Sequence, residues 1–326
     1  MTSGALDQSL PVREAARFGL TRSQLRGARW QRVSRGLYTA RADAPRTLAE
    51  LSAMVAGVLP RDSAFGHLTS AELRGWWLPL GLSPGRGDLL LASTKSNVHV
   101  QRSGLYVRRS AYTEIQEISG IPIVSAPVTL LELAVDLTLV DLVPLVDCAL
   151  RTGTTAEEID AVTRLRSRGS RTLRRALALS DPRSESWWES VLRLMHVEAG
   201  LGPVKSQVEL FDGATFVARA DLHLVGTIRY PECDGGEHRT RERHEHDLQR
   251  DKSLHRIGAE RFGYTTAEIA HQPDMIIGDA ESARGLTSDP VRTSRWWRVA
   301  RQSTLTGHGR ARLRGRLLRY RLAASR

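Results

Sequence analysis

The sequence predicts a multidomain chain that mixes α+β and α/β elements, and three observations predict it. First, 326 residues with 41% hydrophobic composition suffice for two domains, or three small ones, each with its own core. Second, a capped basic helix near the N-terminus is followed by an alternating stretch that reads as a hairpin. Third, from Ser184 the hydrophobic periods run helix, three strands, helix, strand.

Composition narrows the classes. No run approaches the length of a membrane span, and Met1–Leu10 lacks a basic start followed by an apolar stretch, so neither a membrane protein nor a signal peptide is expected. Cys148 and Cys233 are the only cysteines, so a disulfide framework and a Cys-based zinc site are not expected, and the expected location is the cytoplasm. The net charge is +11, unevenly spread. After Asp289 there is no acid but 11 arginines, so residues 1–289 are formally neutral. Met1–Arg46 holds nine arginines against three acids, which makes both ends basic. Basic ends are what phosphate binding needs, because each contacted phosphate releases counterions.

The first segment, residues 1–45, begins with a helix over Val12–Gly19. Thr21-Arg22-Ser23-Gln24 reads as a capping box, with Thr21 as cap and Gln24 reaching back. The helix it opens carries Leu25 and Ala28 inward and Arg22, Arg26 and Arg29 outward. Trp30–Tyr38 alternates, carries Arg32 and Arg35, and has Gly36 near its end. Helix, turn, capped basic helix and basic hairpin describe a winged helix-turn-helix, a shape that puts a helix in the major groove and a wing along the backbone. The string Gly19-Leu20-Thr21, Leu25-Arg26 and Arg32-Val33-Ser34-Arg35-Gly36-Leu37-Tyr38 resembles the N-terminal domain of AbiEi-type antitoxins of type IV toxin–antitoxin systems. The resemblance implies a DNA-binding regulator, with DNA and a cognate toxin as partners.

The middle region, 46–181, is expected to be mixed α+β. Arg46–Leu59 reads as a helix, and a second starts in Gly66–Gly75. Leu89–Ala92, Val98–Val100, Leu105–Arg108 and Ile121–Val124 are short β-like runs. Ser125–Leu137, Leu139–Thr152, Thr154–Thr163 and Ser170–Leu179 follow as helices. His67-x-x-Ser70-Ala71-x-Leu73-x-Gly75 is the most recognisable part of its likeness to the rest of the AbiEi module. His67 reads as a structural histidine at a helix start, since no nucleophile or ligand set stands near it at a suitable spacing. Trp76-Trp77 and Trp187-Trp188 read as core or interface residues rather than stacking platforms.

The third region, 182–273, carries the chemistry. Ser184–Ala199 reads as a helix capped by Ser184, Val204–Phe211 and Thr215–Leu224 as strands joined at Asp212-Gly213, and Thr227–Asp234 as a third strand. Arg241–Ile257 is a charged amphipathic helix and Ala259–Thr265 a last strand. The motifs in order are Glu189-Ser190, Arg219-Ala220-Asp221-Leu222, Glu232-Cys233-Asp234-Gly235-x-x-His238 and Asp247-x-x-Arg250-Asp251-x-x-Leu254-x-x-x-Gly258. They resemble the Vsr-like branch of the PD-(D/E)XK nucleases, a restriction-endonuclease-like fold, over roughly Ser184 to Ile269. Phosphodiester hydrolysis requires a hard cation to stabilise charge and activate water. The resemblance places Asp221, Glu232 and Asp234 on Mg²⁺ (or Mn²⁺), His238 as the proton-transfer group, and Glu189 in support of water or metal. It leaves Arg250 and Asp251 in the outer shell, with Arg250 a candidate phosphate contact. Asp234 stands where many members of the wider fold carry lysine. Pro231 interrupts the third strand and requires an edge or a bulge there. Ala259 and Gly263 stand where the family has Trp and Arg. His244 and His246 point in different directions on a helix, which argues against zinc.

The last region, 274–326, is a basic tail, in which Leu313, Leu317 and Leu318 fall on one helical face. A solvated disordered tail and a basic amphipathic helix on DNA, a partner or a membrane surface are both compatible with it. Three functions remain open from the sequence: a metal-dependent DNA endonuclease or nickase, a non-enzymatic antitoxin-like repressor with a degenerate nuclease fold, and an RNA-directed nuclease.

Overall fold

The computed structural model describes residues 9–41, 47–82, 90–96, 104–110, 112, 114–234 and 252–323, the side chains of 318–323 excepted. It is a mixed α+β protein of two compact units. One contains the chain up to Asp136 together with the stretch from Leu313, and the other is Leu137–Arg312.

The first unit opens with strand β1 (Leu10–Pro11) and two 3₁₀ turns, Val12–Phe18 and Gln24–Arg26. Strands β2 (Trp30–Ser34) and β3 (Leu37–Ala40) complete a small antiparallel sheet in the order β1-β3-β2. The expected α-helices are shorter and tighter than the pattern implied. Gly19 takes a left-handed φ of 67° and stops the first, while Gly27 ends the second after three residues. With so short a turn Ala28 is exposed rather than inward, and Leu25 alone of that pair is buried. Leu10, Ala15 and Leu25 form the local core.

Helix α1 (Leu48–Ala56) starts at a complete capping box between Thr47 and Glu50. A five-stranded sheet follows, built from β4 (Ser63–Phe65), β5 (Leu90–Thr94), β6 (Leu105–Arg109), β7 (Ile115–Ile118) and β8 (Ile121–Val124). Its order is β6-β5-β4-β8-β7, with β4 parallel to β8 and β5 parallel to β6. β4 and β7 carry no alternation that the eye separates from loop, and both are absent from the pattern expected from sequence. The expected strand at Val98–Val100 lies outside the described residues. Helices α2 (His67–Leu73) and α3 (Ala126–Asp136) belong with this sheet, and its core gathers Phe65, Leu90, Ile121 and Ile123 with Leu37 from the small sheet.

The second unit begins with α4 (Leu139–Arg151), α5 (Ala156–Arg164) and α6 (Ser170–Ala178). Helix α7 (Trp187–Glu198) is central: Val191, Leu192, Leu194 and Met195 are wholly buried. Its cap is Ser186, whose side chain accepts from the Glu189 amide, rather than Ser184, which is buried two residues earlier. The Arg193 guanidinium meets Asp147 of α4 at 2.6 Å, both side chains being nearly inaccessible. Strands β9 (Val204–Asp212) and β10 (Thr215–Leu224) form an antiparallel hairpin, and β11 (Arg229–Asp234) lies beside β10. After α8 (residues 252–256), β12 (Glu260–Thr265) pairs with β11 in parallel, which a helical crossover permits. Helices α9 (Thr266–His271), α10 (Pro273–Ala283) and α11 (Pro290–Ala300) come next. α12 (Gly307–Ala323) shows that the tail is helical where described. Leu313 and Leu317 are buried, and Arg316 binds Asp136 at 3.1 Å, so this part of the tail packs as structure in the first unit. No helix among the described residues is long and apolar enough to cross a membrane.

Candidate functional site

Two constellations match residues singled out by the sequence, one in each unit. In the first unit, the Thr21 amide donates to Gln24 Oε1 at 2.7 Å and the Gln24 amide to Thr21 Oγ1 at 3.2 Å, the reciprocal pair of a capping box. This anchors the turn that bears Arg22 and Arg26. Arg29 follows the turn, Arg32 lies on β2, and Arg35 sits beside Gly36 at the β2–β3 turn, where φ is 72°. All five arginines are exposed. Arg22, Arg26, Arg29 and Arg32 have no side-chain ion pair or hydrogen bond among the described residues. Buried Leu25 holds the turn, so the charge is displayed from a fixed base.

In the second unit the acids come from three elements. Glu189 is on the first turn of α7, Asp221 on β10, and Glu232 and Asp234 on β11. The Cys233 amide donates to Asp221 Oδ2 at 2.9 Å, so the carboxylate of β10 closes onto the backbone of β11. Pro231, which has no amide to donate, is tolerated because, among the described residues, β11 forms its regular ladder with β12 alone. The Cys233 thiol is half-buried on β11. Burial, with the charges of Asp221, Glu189 and Asp234, pushes its pKa up to about 12. The Asp221 carboxylate of β10 is thus held against β11, the strand that carries Glu232 and Asp234.

What they bind there differs from the expectation. Glu189 is almost inaccessible and accepts from Gln207 Nε2 and from the Glu185 amide, each at 2.8 Å. Gln207 interrupts β9 with φ of 51°, a left-handed conformation that costs a non-glycine residue roughly 1–3 kcal/mol. Arg261 of β12 donates from Nε to Glu232 Oε2 at 2.5 Å and from a terminal nitrogen to Asp234 Oδ1 at 2.8 Å. Glu232 is 5% exposed and thus depends on a buried counter-charge. A Cβ at Gly263 would overlap the Asp234 carboxylate, so the glycine found where an arginine was expected makes room for this acid. The guanidinium comes from Arg261, two residues earlier.

The expected Mg²⁺ (or Mn²⁺) set of Asp221, Glu232 and Asp234 does not fit a metal as these side chains stand. Among the described residues no group of three or more His, Cys, Asp or Glu is placed to hold an ion. The reason is that Glu232 and Asp234 face a guanidinium, while Asp221 Oδ2 faces an amide. His238 and Arg250 lie outside the described residues, as do His244 and His246. Sequence reading missed Arg261 and Gln207. Arg261 stands opposite Tyr230 in the parallel register, a pairing fixed by the crossover and not by local pattern. The left-handed kink at Gln207 has no residue signature.

His67 also has a clear place. It is the first residue of α2, is 3% exposed and has φ of 52°. Its amide donates to Glu132 Oε2 at 2.9 Å, and its Nε2 lies 3.2 Å from Asp136, which Arg108 and Arg316 also bind. Burial lowers the His67 pKa. Burial raises that of Asp136, but His67 and Arg108 outweigh it and hold the group well below the usual carboxylate range. The cluster ties α2, α3, β6 and α12 together. No family model, curated protein or solved structure matches the chain.

Proposed function

We propose that this chain is a DNA-binding protein of the antitoxin-like regulator kind, gripping duplex DNA through a winged-helix-like first segment. The observation that carries the reading is the exposed set Arg22, Arg26, Arg29, Arg32 and Arg35, displayed from one capped turn and one hairpin. The guanidinium groups of Arg22, Arg26, Arg29 and Arg32, which have no carboxylate partner among the described residues, are available to phosphate oxygens, and the hairpin has the reach of a backbone-tracking wing. A cognate toxin is the protein partner such a regulator would take. The test is fluorescence anisotropy on a mixed-sequence duplex at several salt concentrations. If all five arginines meet phosphates, log K falls against log [salt] with a slope of about −4.5, and the triple change Arg26→Ala, Arg29→Ala, Arg32→Ala reduces the slope by about 2.7. An unchanged slope would refute the interface.

A second reading, metal-dependent phosphodiester hydrolysis by a nuclease-like second unit, is favoured by the closing of Asp221 onto β11, the strand that carries Glu232 and Asp234. The pairing of Glu232 and Asp234 with Arg261 weighs against it. Supercoiled and linear DNA incubated with Mg²⁺ or Mn²⁺, beside Asp221→Ala, decides between the two. Cleavage by the wild type and not by the variant supports hydrolysis. Equal cleavage by both sinks the assignment of the site.

A further inference from the structure

We propose that Arg261 is the built-in cation of the acidic site: its guanidinium takes the place a divalent metal ion would otherwise fill between Glu232 and Asp234. Three observations carry this. The two contacts use different nitrogens of one guanidinium, Nε on Glu232 and a terminal nitrogen on Asp234, so one planar group bridges both acids. Glu232 is 5% exposed, and an ionised carboxylate that buried requires a positive partner. The bridge is also built into the strands. Asp234 lies over Gly263, where any side chain would displace its carboxylate from the position that Arg261 meets.

The consequence is competition. A carboxylate pair with a bound guanidinium has a single positive charge already in place, and a divalent ion must displace it to enter. The wild-type chain therefore binds no divalent cation between these residues. A side chain of similar length without charge at position 261 turns the same two acids into a cation site, because Glu232 and Asp234 then lose the guanidinium between them and a hard ion supplies its charge. This goes beyond the DNA-binding reading and opposes metal-dependent hydrolysis at these two acids. Metal binding is measured without DNA, so a failed cleavage assay does not decide it, and a failed metal titration does not exclude DNA binding.

The experiment is a Mn²⁺ titration of the full chain, stripped with EDTA, followed by electron paramagnetic resonance and by thermal unfolding. Wild type, Arg261→Gln, Asp234→Asn and the double variant Glu232→Gln/Arg261→Gln are compared. The expected result is a Mn²⁺ site in Arg261→Gln at least about tenfold tighter than any in the wild type, a gain that the double variant loses. Arg261→Gln is also expected to recover thermal stability on adding Mn²⁺, while the wild type does not shift. A wild-type Mn²⁺ site that Asp234→Asn abolishes would overturn the proposal, as would an Arg261→Gln affinity equal to that of wild type. If Arg261→Gln is unfolded without metal, recovery of its fold with Mn²⁺ supports the proposal, and failure to recover counts against it.

Discussion

His196 offers a sharp test of how the second unit holds together. It lies on α7, 1% exposed, with Nδ1 2.8 Å from the Leu192 carbonyl. That contact makes Nδ1 the protonated nitrogen, which leaves Nε2 bare and buried without a hydrogen-bond partner. A second proton would sit on Nε2 with no acceptor, and Arg284 adds an unfavourable like charge. Burial first, then Arg284, outweigh the hydrogen bond to Leu192 and lower the pKa to about 4 from 6.5. Because the folded pKa is depressed, the unfolded chain binds more protons between these values. The folded state therefore loses stability as pH falls through 6.5 and stops losing it below about 4. Linkage gives a loss of about 2 kcal/mol by pH 5 and about 3 kcal/mol by pH 4, relative to pH 8. Asp141 and Asp147, whose pKa values burial raises, act in the opposite direction, so the isolating measurement is a difference. Urea unfolding of the second unit's transition is followed at pH 8, 5 and 4 for wild type and for His196→Gln, which cannot titrate. The gap between the two should narrow, or reverse, by those amounts on acidification. Parallel pH profiles, within about 0.5 kcal/mol, would refute the assignment of a bare, buried Nε2.

Other consequences are equally direct. Arg193→Met takes the guanidinium from buried Asp147, and should cost about 3–5 kcal/mol of unfolding free energy by urea titration. Gly66→Ala places a methyl onto the Glu132 carboxylate, which takes the first amide of α2, and onto the Ser93 hydroxyl bound to it, and should lower stability by about 1–3 kcal/mol. Gly309→Ala sets a methyl against the Ser303 backbone carbonyl, which cannot swing away as a side chain does. It should destabilise α12 by about 3 kcal/mol, read as a lower thermal midpoint and as loss of helical circular dichroism. Arg316→Ala removes one of the two arginines on Asp136 and should loosen α12, seen as faster amide exchange over residues 313–317.

The parts of this protein legible in the sequence are those that local chemistry decides. The capping pairs Thr21/Gln24 and Thr155/Glu158 form as their spacing implies, because the reciprocal bonds involve residues three apart. The alternation in Thr215–Leu224 produced β10 at its expected limits, since every second residue packs inward. The helix, three-strand, strand order of the acidic region could be read, whereas the burial of Leu313 and Leu317 could not, since a solvated tail fitted the same pattern. Trp76 and Trp187 are core residues, as their apolar bulk implied.

What only the tertiary structure decided is everything that depends on register and on the pairing of charges distant along the chain. Composition places arginines in the chain but cannot say which of them meets a carboxylate. Arg22 and Arg26 stay exposed on a turn, while Arg108 and Arg193 pair with buried acids 28 and 46 positions away and Arg316 reaches Asp136 from the far end of the chain. Glu232 and Asp234 carry a motif that points to metal, yet parallel pairing of β11 with β12 brings Arg261 against both. Electrostatic partners are chosen by distance in space, and a parallel crossover sets that distance through residues that local periodicity does not see.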